Sequence, residues 1–266
     1  MGKGVKLSEY EDKLVTRMGA WFPGERVVFR GLDLHQDFAD AEWMDLYVYS
    51  FTGRRYTKPQ LEMLHTLWVF TSYPDPRLWN NRAAALAGTA RSTGALGLSA
   101  ALAVSDASIY GGRPCIKSID FLVRTKKAVD NGVDLIDCIR SELRENHSVA
   151  GYGRPITGAD ERVPHLMKRA KHLGFDGGMF VKLAFDIEQI LLEGRWRMRM
   201  NFAAITAAIC ADMGFSPRQF YLFAFPAFLA GMIPCFIEAT EKPEGSLLPL
   251  RCARIDYEGP ARRSWD

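Results

Sequence analysis

Residues 78–112 read LWNNRAAALAGTARSTGALGLSAALAVSDASIYGG and constrain the fold more than any other stretch. Ala, Gly, Ser and Thr dominate, and Arg82 and Arg91 are the only charges before Asp106. The spacing predicts a helix over 78–104. A helix with so little charge has no face to turn to water, so it belongs in a core or a subunit interface. There its small side chains let other helices approach closely. A single small domain cannot bury it on every side, which predicts a homodimer. Asn80, Asn81, Arg82 and Arg91 interrupt the apolar run and argue against a membrane span.

Helical periodicity continues along the chain. LSEYEDKLVTRMGAWF predicts a first amphipathic helix with Leu14 and Met18 on one side, and RVVFRG (26–31) a short strand stopped by Gly31. KPQLEMLHTLWVF (58–70) has Pro59 in its first turn and Leu61, Leu64, Leu67 and Trp68 at helical spacing. Further helices are predicted over 128–147, over 160–175 with Gly174 as the stop, and over 177–194, 201–215 and 216–241. In the last, Ser216-Pro217 forms an N-cap and first-turn pair. The tail from Leu247 is extended and basic. No βαβ alternation and no internal repeat is present, so the fold class is all-α with few short strands.

The 266 residues suffice for one large unit with a sizeable core. A net charge of +3 is too small to imply a nucleic-acid partner. Five scattered cysteines form no CxxC and lie near no histidine cluster. That argues against zinc or any other metal, and against a disulfide framework, and it fits a reducing cytoplasm. MGKGVKLSEYEDK is charged and lacks the apolar centre of a signal peptide, and Lys6 argues against myristoylation.

Three short stretches combine glycine or a small residue with arginine beside a helix end: SIYGGRP (108–114), GYGRPITGADER (151–162) and GRWRMRMNF (194–202). Glycine lets backbone amides approach a ligand, helix N-termini favour anions, and the arginine fork suits carboxylate or phosphate. Arg113, Arg154, Arg162, Arg197 and Arg199 are the candidate donors. The bland alternatives are a plain turn at Gly111-Gly112 and a solvated edge at RWRMRM. His165 and His172 share a helix face without a matching carboxylate or cysteine, and no Ser-His-Asp, HExxH, Walker or GxGxxG pattern occurs.

The order of these motifs resembles the citrate synthase superfamily. The small-residue helix ends in SIYGGRP, and GYGRPITGADERV follows. A helix then starts at MNFAAITAAICADMGFSP, and FPAFLAGMIPCFIEATE leads to ARIDYEGP. The resemblance spans residues 24–260, and the short length is most similar to citryl-CoA lyase-type members. It implies a homodimer with a large domain (approximately 1–112 and 200–266) and a small one (approximately 113–199). It also implies coenzyme A against the glycine turns Gly111, Gly112, Gly151, Gly153 and Pro155, and an anionic substrate held by Arg113, Arg162, Arg199 and Arg254. The implied reaction makes or breaks a carbon–carbon bond beside a thioester.

In that family a carboxylate removes the α-proton, one imidazole stabilises the enol and a second activates the ketone. Those positions fall here at Asn201, Tyr110 and Arg154, the candidate catalytic set. A substrate-gripping arginine of the C-terminal helix falls near Phe228. Arg162 matches the arginine of the family's Asp-Pro-Arg segment, which reads Asp160-Glu161-Arg162 in a loop one residue shorter. Tyr110 can donate to an enolate or thioester oxygen, and Arg154 can polarise a carbonyl but not shuttle protons. Asn201 cannot act as a base. Two readings stay open: an enzyme of altered chemistry, acting as lyase or acyltransferase, or a non-catalytic binder of coenzyme A or carboxylates.

Overall fold

The computed structural model describes residues 11, 12, 14–154, 158–247, 249–261 and 263. Three short antiparallel strands come first, in the order β1 (Gly19–Phe22), β2 (Arg26–Phe29), β3 (Leu32–Asp33). The helix expected over 7–22 is therefore not formed in its described part. Pro23-Gly24 supplies a tight turn, with Gly24 at φ +76° and Glu25 N–H donating to Phe22 O at 3.0 Å. Trp21 and Phe22 then pair with Val27 and Arg26 rather than winding into a helix.

Helices make up the rest: α1 (Trp43–Thr52), α2 (Lys58–Thr71), α3 (Trp79–Thr89), α4 (Gly94–Val104), α5 (Gly112–Asp130), α6 (Leu135–Asn146), α7 (Arg162–Leu173), α8 (Met179–Glu193), α9 (Phe202–Asp212), α10 (Pro217–Ala224) and α11 (Leu229–Glu241). The all-α class holds. α2 begins with a Thr57/Gln60 capping box and Pro59, α10 with a Ser216/Gln219 box and Pro217, and α7 ends on Gly174 in the left-handed region.

The run 78–104 is two helices, not one. Arg91 adopts φ +59° and its guanidinium donates to the carbonyls of Gly88, Ala239, Thr240 and Lys242. One side chain thus caps the C-termini of both α3 and α11, which the expected continuous helix would forbid. The small residues do what their size suggests. A Cβ on Gly88 would press into the Phe236 carbonyl of α11, and one on Gly97 into Ala87 of α3.

Three further boundaries differ. The helix expected over 128–147 is α6 alone, because Asn131-Gly132 end α5 and Asp134 caps a new helix through Ile136 N–H at 2.9 Å. α1 and most of α5 had no sequence counterpart. The apolar run Pro217–Glu241 is long and apolar enough to cross a membrane by length and composition. It is divided by a 3₁₀ turn over Phe225–Phe228, and Phe220, Phe223 and Met232 are buried. The main core draws on α1, α2 and α5 through α10, with Met44, Leu64, Phe121, Leu166, Ile187, Ile205 and Phe223 fully or almost fully buried.

Candidate ligand cavity at three helix N-termini

The segments holding the two glycine turns and the RWRMRM run come together, for reasons visible in the backbone. Tyr152 bridges Met200 in antiparallel fashion, Gly153 N–H donates to Arg199 O at 2.7 Å, and Asn201 N–H donates to Gly151 O at 2.9 Å. Gly151 holds φ +88°, and a Cβ there would strike Ala204 at the start of α9. The Tyr152 hydroxyl is buried and donates to Ala184 O of α8 at 2.8 Å. Gly111 holds φ +76°, and a Cβ on it would overlap the Ser105 carbonyl. Glycine is required at both turns for packing alone.

These constraints aim the N-termini of α5, α7 and α9 at one cavity of about 210 Å³. Its wall is largely aromatic and aliphatic: Leu67 and Trp68 of α2, Ile109, Phe202, Phe220 and Phe223 of α10, and Phe228 of the 3₁₀ turn. Trp68 Nε1 donates to Phe223 O at 2.9 Å and Ser72 Oγ to Ala227 O at 3.1 Å, which ties α2 to the end of α10. Tyr110, Gly111, Cys115, Arg162 and Asn201 also line the cavity.

Each polar side chain of the wall other than Cys115 is bonded inside the chain. Arg162 donates through Nε and Nη2 to Asp160 Oδ1 and Oδ2, both at 2.8 Å, while its guanidinium lies over the Phe202 and Tyr73 rings at 4.4 and 5.0 Å. Asp160 is 1% exposed and also accepts Phe202 N–H at 2.9 Å and Arg162 N–H at 3.2 Å. The anion at the N-termini of α7 and α9 is thus the protein's own carboxylate. Burial pushes the Asp160 carboxyl up, but the Arg162 bonds and charge and the two backbone N–H groups outweigh it and hold it below the ordinary 3.8.

Asn201 caps α9, accepting Ala203 N–H on Oδ1 and donating through Nδ2 to Gly153 O, each at 2.9 Å. Tyr110 O–H donates to Asn80 Oδ1 at 3.1 Å, and that oxygen also accepts Asn81 N–H at 2.9 Å. To donate to a ligand, the phenol must turn away from Asn80. Burial raises the Tyr110 phenol, with Arg162 opposing, so it stays protonated at neutral pH. Thr71 and Thr206 donate to the helix carbonyls of Leu67 and Phe202 at 2.8 Å. Burial pushes the Cys115 thiol up to about 12, which leaves it un-ionised and a poor nucleophile.

Of the sequence candidates, Tyr110, Gly111, Arg162 and Asn201 share this cavity, and Phe228 joins them. Arg154 does not line it. Its Nη1 donates to Glu161 Oε2 at 2.9 Å and to Ala159 O at 3.2 Å behind Asp160. Gly112, Gly151 and Gly153 shape the turns behind the wall, while Arg113, Arg199 and Arg254 are exposed and do not line it. Pro155 lies outside the described residues. Sequence reasoning missed Asn80, Trp68 and the α10 pair Phe220 and Phe223. Spacing of three along a helix places that pair on one face, but nothing local says that the face meets a cavity.

No protein-family model and no curated protein sequence matches the chain. Solved structures do. The class defined is the citrate synthase-type all-α fold. A citrate synthase from the thermophilic archaeon Thermoplasma acidophilum, in complex with carboxymethyl coenzyme A and oxaloacetate, superposes with a TM-score of 0.66. The identity is 19%, over 85% of this chain and 59% of that one. Another match extends over nearly the whole length of both chains. The citryl-CoA lyase of Hydrogenobacter thermophilus gives a TM-score of 0.82 at 20% identity, covering 95% of this chain and 97% of the other. ATP citrate lyase from Methanothrix soehngenii, bound to citrate and coenzyme A, gives 0.77 at 15% identity. It covers 97% of this chain, which spans 45% of that longer one.

Proposed function

We infer that this chain binds a coenzyme A thioester, with the acyl end in the cavity among α2, α5, α9 and α10. The observation that carries the reading is the cavity itself. The glycine turn at Gly111, the α9 start at Asn201 and the Asp160-Glu161-Arg162 segment meet there, in a fold shared with structures that hold coenzyme A and citrate. Among the described residues that line it, none is a carboxylate or an imidazole, and the neighbouring Asp160 is spent on Arg162 and two backbone N–H groups. No wall group is poised to take a proton. Holding a ligand is therefore favoured over condensing acetyl-CoA with oxaloacetate, a step that needs a base.

A second reading, lyase or acyltransferase chemistry by carbonyl polarisation, rests on the Tyr110 hydroxyl. That hydroxyl can turn toward a thioester oxygen by giving up its single side-chain bond, at a cost of about 0.5–1.5 kcal/mol. Calorimetric titration with coenzyme A, acetyl-CoA and citrate tests the binding. A coupled assay for thiol release then separates holding from turnover. Binding with no thiol release and no citrate formed supports the first reading. Thiol release abolished by Tyr110→Phe supports the second, and absence of binding to coenzyme A or its thioester removes both.

A further inference from the structure

We propose that the cavity selects a thioester whose acyl group is apolar and carries no free carboxylate, such as a short aliphatic acyl chain. The inference rests on the coenzyme A reading and specifies what the cavity does with the acyl end.

Charge is the first reason. Arg162 is the one charged side chain among the described residues of the wall, and its fork already grips Asp160 through two bonds of 2.8 Å. Behind that pair, Arg154 and Glu161 neutralise each other at 2.9 Å. A ligand carboxylate entering here would meet a pair of zero net charge whose negative partner is fixed and buried. It would lose its hydration for a guanidinium whose charge Asp160 already balances, and it would repel Asp160. The N-termini of α7 and α9 do not rescue it, because Asp160 already takes the Phe202 and Arg162 backbone N–H groups and Asn201 takes that of Ala203, and at α5 the Gly112 N–H is taken by Ser105 O.

Satisfaction is the second reason. The hydroxyls of Thr71 and Thr206 and the amide of Asn201 are bonded to backbone groups, so a polar ligand group gains no waiting partner from them. The third reason is the surface that is left. The Phe228 ring packs against Tyr110 with centroids 6.1 Å apart, and Phe220 and Phe223 close the far wall. Such a lining rewards methylene groups, at roughly fourfold in affinity for each one fully buried.

Butanoyl-CoA and succinyl-CoA test this on the full-length protein, because they differ chiefly by a terminal carboxylate in place of a methyl group. Isothermal titration with acetyl-, butanoyl-, hexanoyl- and succinyl-CoA should show butanoyl-CoA roughly fifteenfold tighter than acetyl-CoA where both added methylenes are buried. Succinyl-CoA should be at least as weak as acetyl-CoA. Phe228→Arg should narrow or reverse the preference of butanoyl over succinyl, with circular dichroism as the check on folding. The wild-type series decides the question even where that variant does not fold. Succinyl-CoA binding as tightly as butanoyl-CoA, or affinity that does not change with chain length while all thioesters bind, overturns the selectivity and leaves the coenzyme A reading standing. No binding by any thioester or by coenzyme A overturns both.

Discussion

Replacing Asp160 by Asn tests the self-contained charge centre directly. The carboxylate is 1% exposed and accepts four N–H bonds: Arg162 Nε and Nη2 at 2.8 Å, Phe202 N at 2.9 Å and Arg162 N at 3.2 Å. Asn keeps the size, removes the charge facing the guanidinium, and turns one acceptor edge into a donor aimed at other donors. Breaking a buried ion pair from one side costs about 3–5 kcal/mol. The Arg162 side chain keeps 22% exposure, so water relieves part of its loss and the lower end applies, about 3 kcal/mol. For a chain of this size that lowers Tm by roughly 6–12 °C. The pH dependence has a definite sign. The folded Asp160 pKa lies below the ordinary 3.8, so its stabilisation is complete above the unfolded value and is lost as pH falls through the folded one. The gap between wild type and D160N should stay constant from about pH 5 to 8 and shrink only below about pH 4. Urea denaturation across that range measures it. An unchanged midpoint at neutral pH, or a gap that closes near neutrality, would refute the reasoning.

Gly111→Ala should cost at least ~3 kcal/mol, since the new Cβ overlaps the Ser105 carbonyl at φ +76°, and a thermal melt within two degrees or so of wild type would contradict that. Tyr110→Phe removes one bond to Asn80, which keeps Asn81 N–H, so the loss should be only about 0.5–1.5 kcal/mol with unchanged circular dichroism. With burial pushing its thiol up to about 12, Cys115 should resist iodoacetamide at about pH 8. Exposed Cys252 should react first, as peptide mass spectrometry would show. A second copy of the chain should cover the apolar side of α3, α4 and α11, where Leu86, Leu96, Val104, Ile233 and Ile237 stand exposed without a charged neighbour on α4. An interface of roughly 2,000 Å² or more is expected there, and a monomeric mass by sedimentation at micromolar concentration would count against it.

The parts of this fold that were legible in the sequence are those fixed within a few residues. Pro59, Ser216-Pro217 and Gly174 mark helix ends through local backbone chemistry, and the structure places those ends where they predict. The parts that were illegible depend on what a residue meets across the chain. Arg91 looked like an interruption in a small-residue helix, and it ends that helix by reaching the carbonyls of α11, about 150 residues further on. Residues 19–22 read as the close of a helix because Met18 and Leu14 share a helical face, yet pairing with Val27 and Val28 overrides that weak signal.

The same division runs through the site. GYGRPITGADERV has the makings of a place for an anion, and the physics holds: glycine turns, an arginine fork and helix starts do meet there. The anion was two residues from the arginine that holds it. Asp160 opens the segment that Arg162 closes, and a carboxylate at a helix start is the ordinary way to satisfy orphan N–H groups before any ligand arrives. Local sequence could supply that pairing. It could not supply the burial of Asp160 against Phe202, forty-two residues away, which fixes the carboxylate in place. Where a chain fills its own anion site and walls the remaining space with Phe220, Phe223 and Phe228, recognition passes from charge to shape. On the proposed reading, the acyl chain, more than any carboxylate, is the part of a ligand that such a cavity can distinguish.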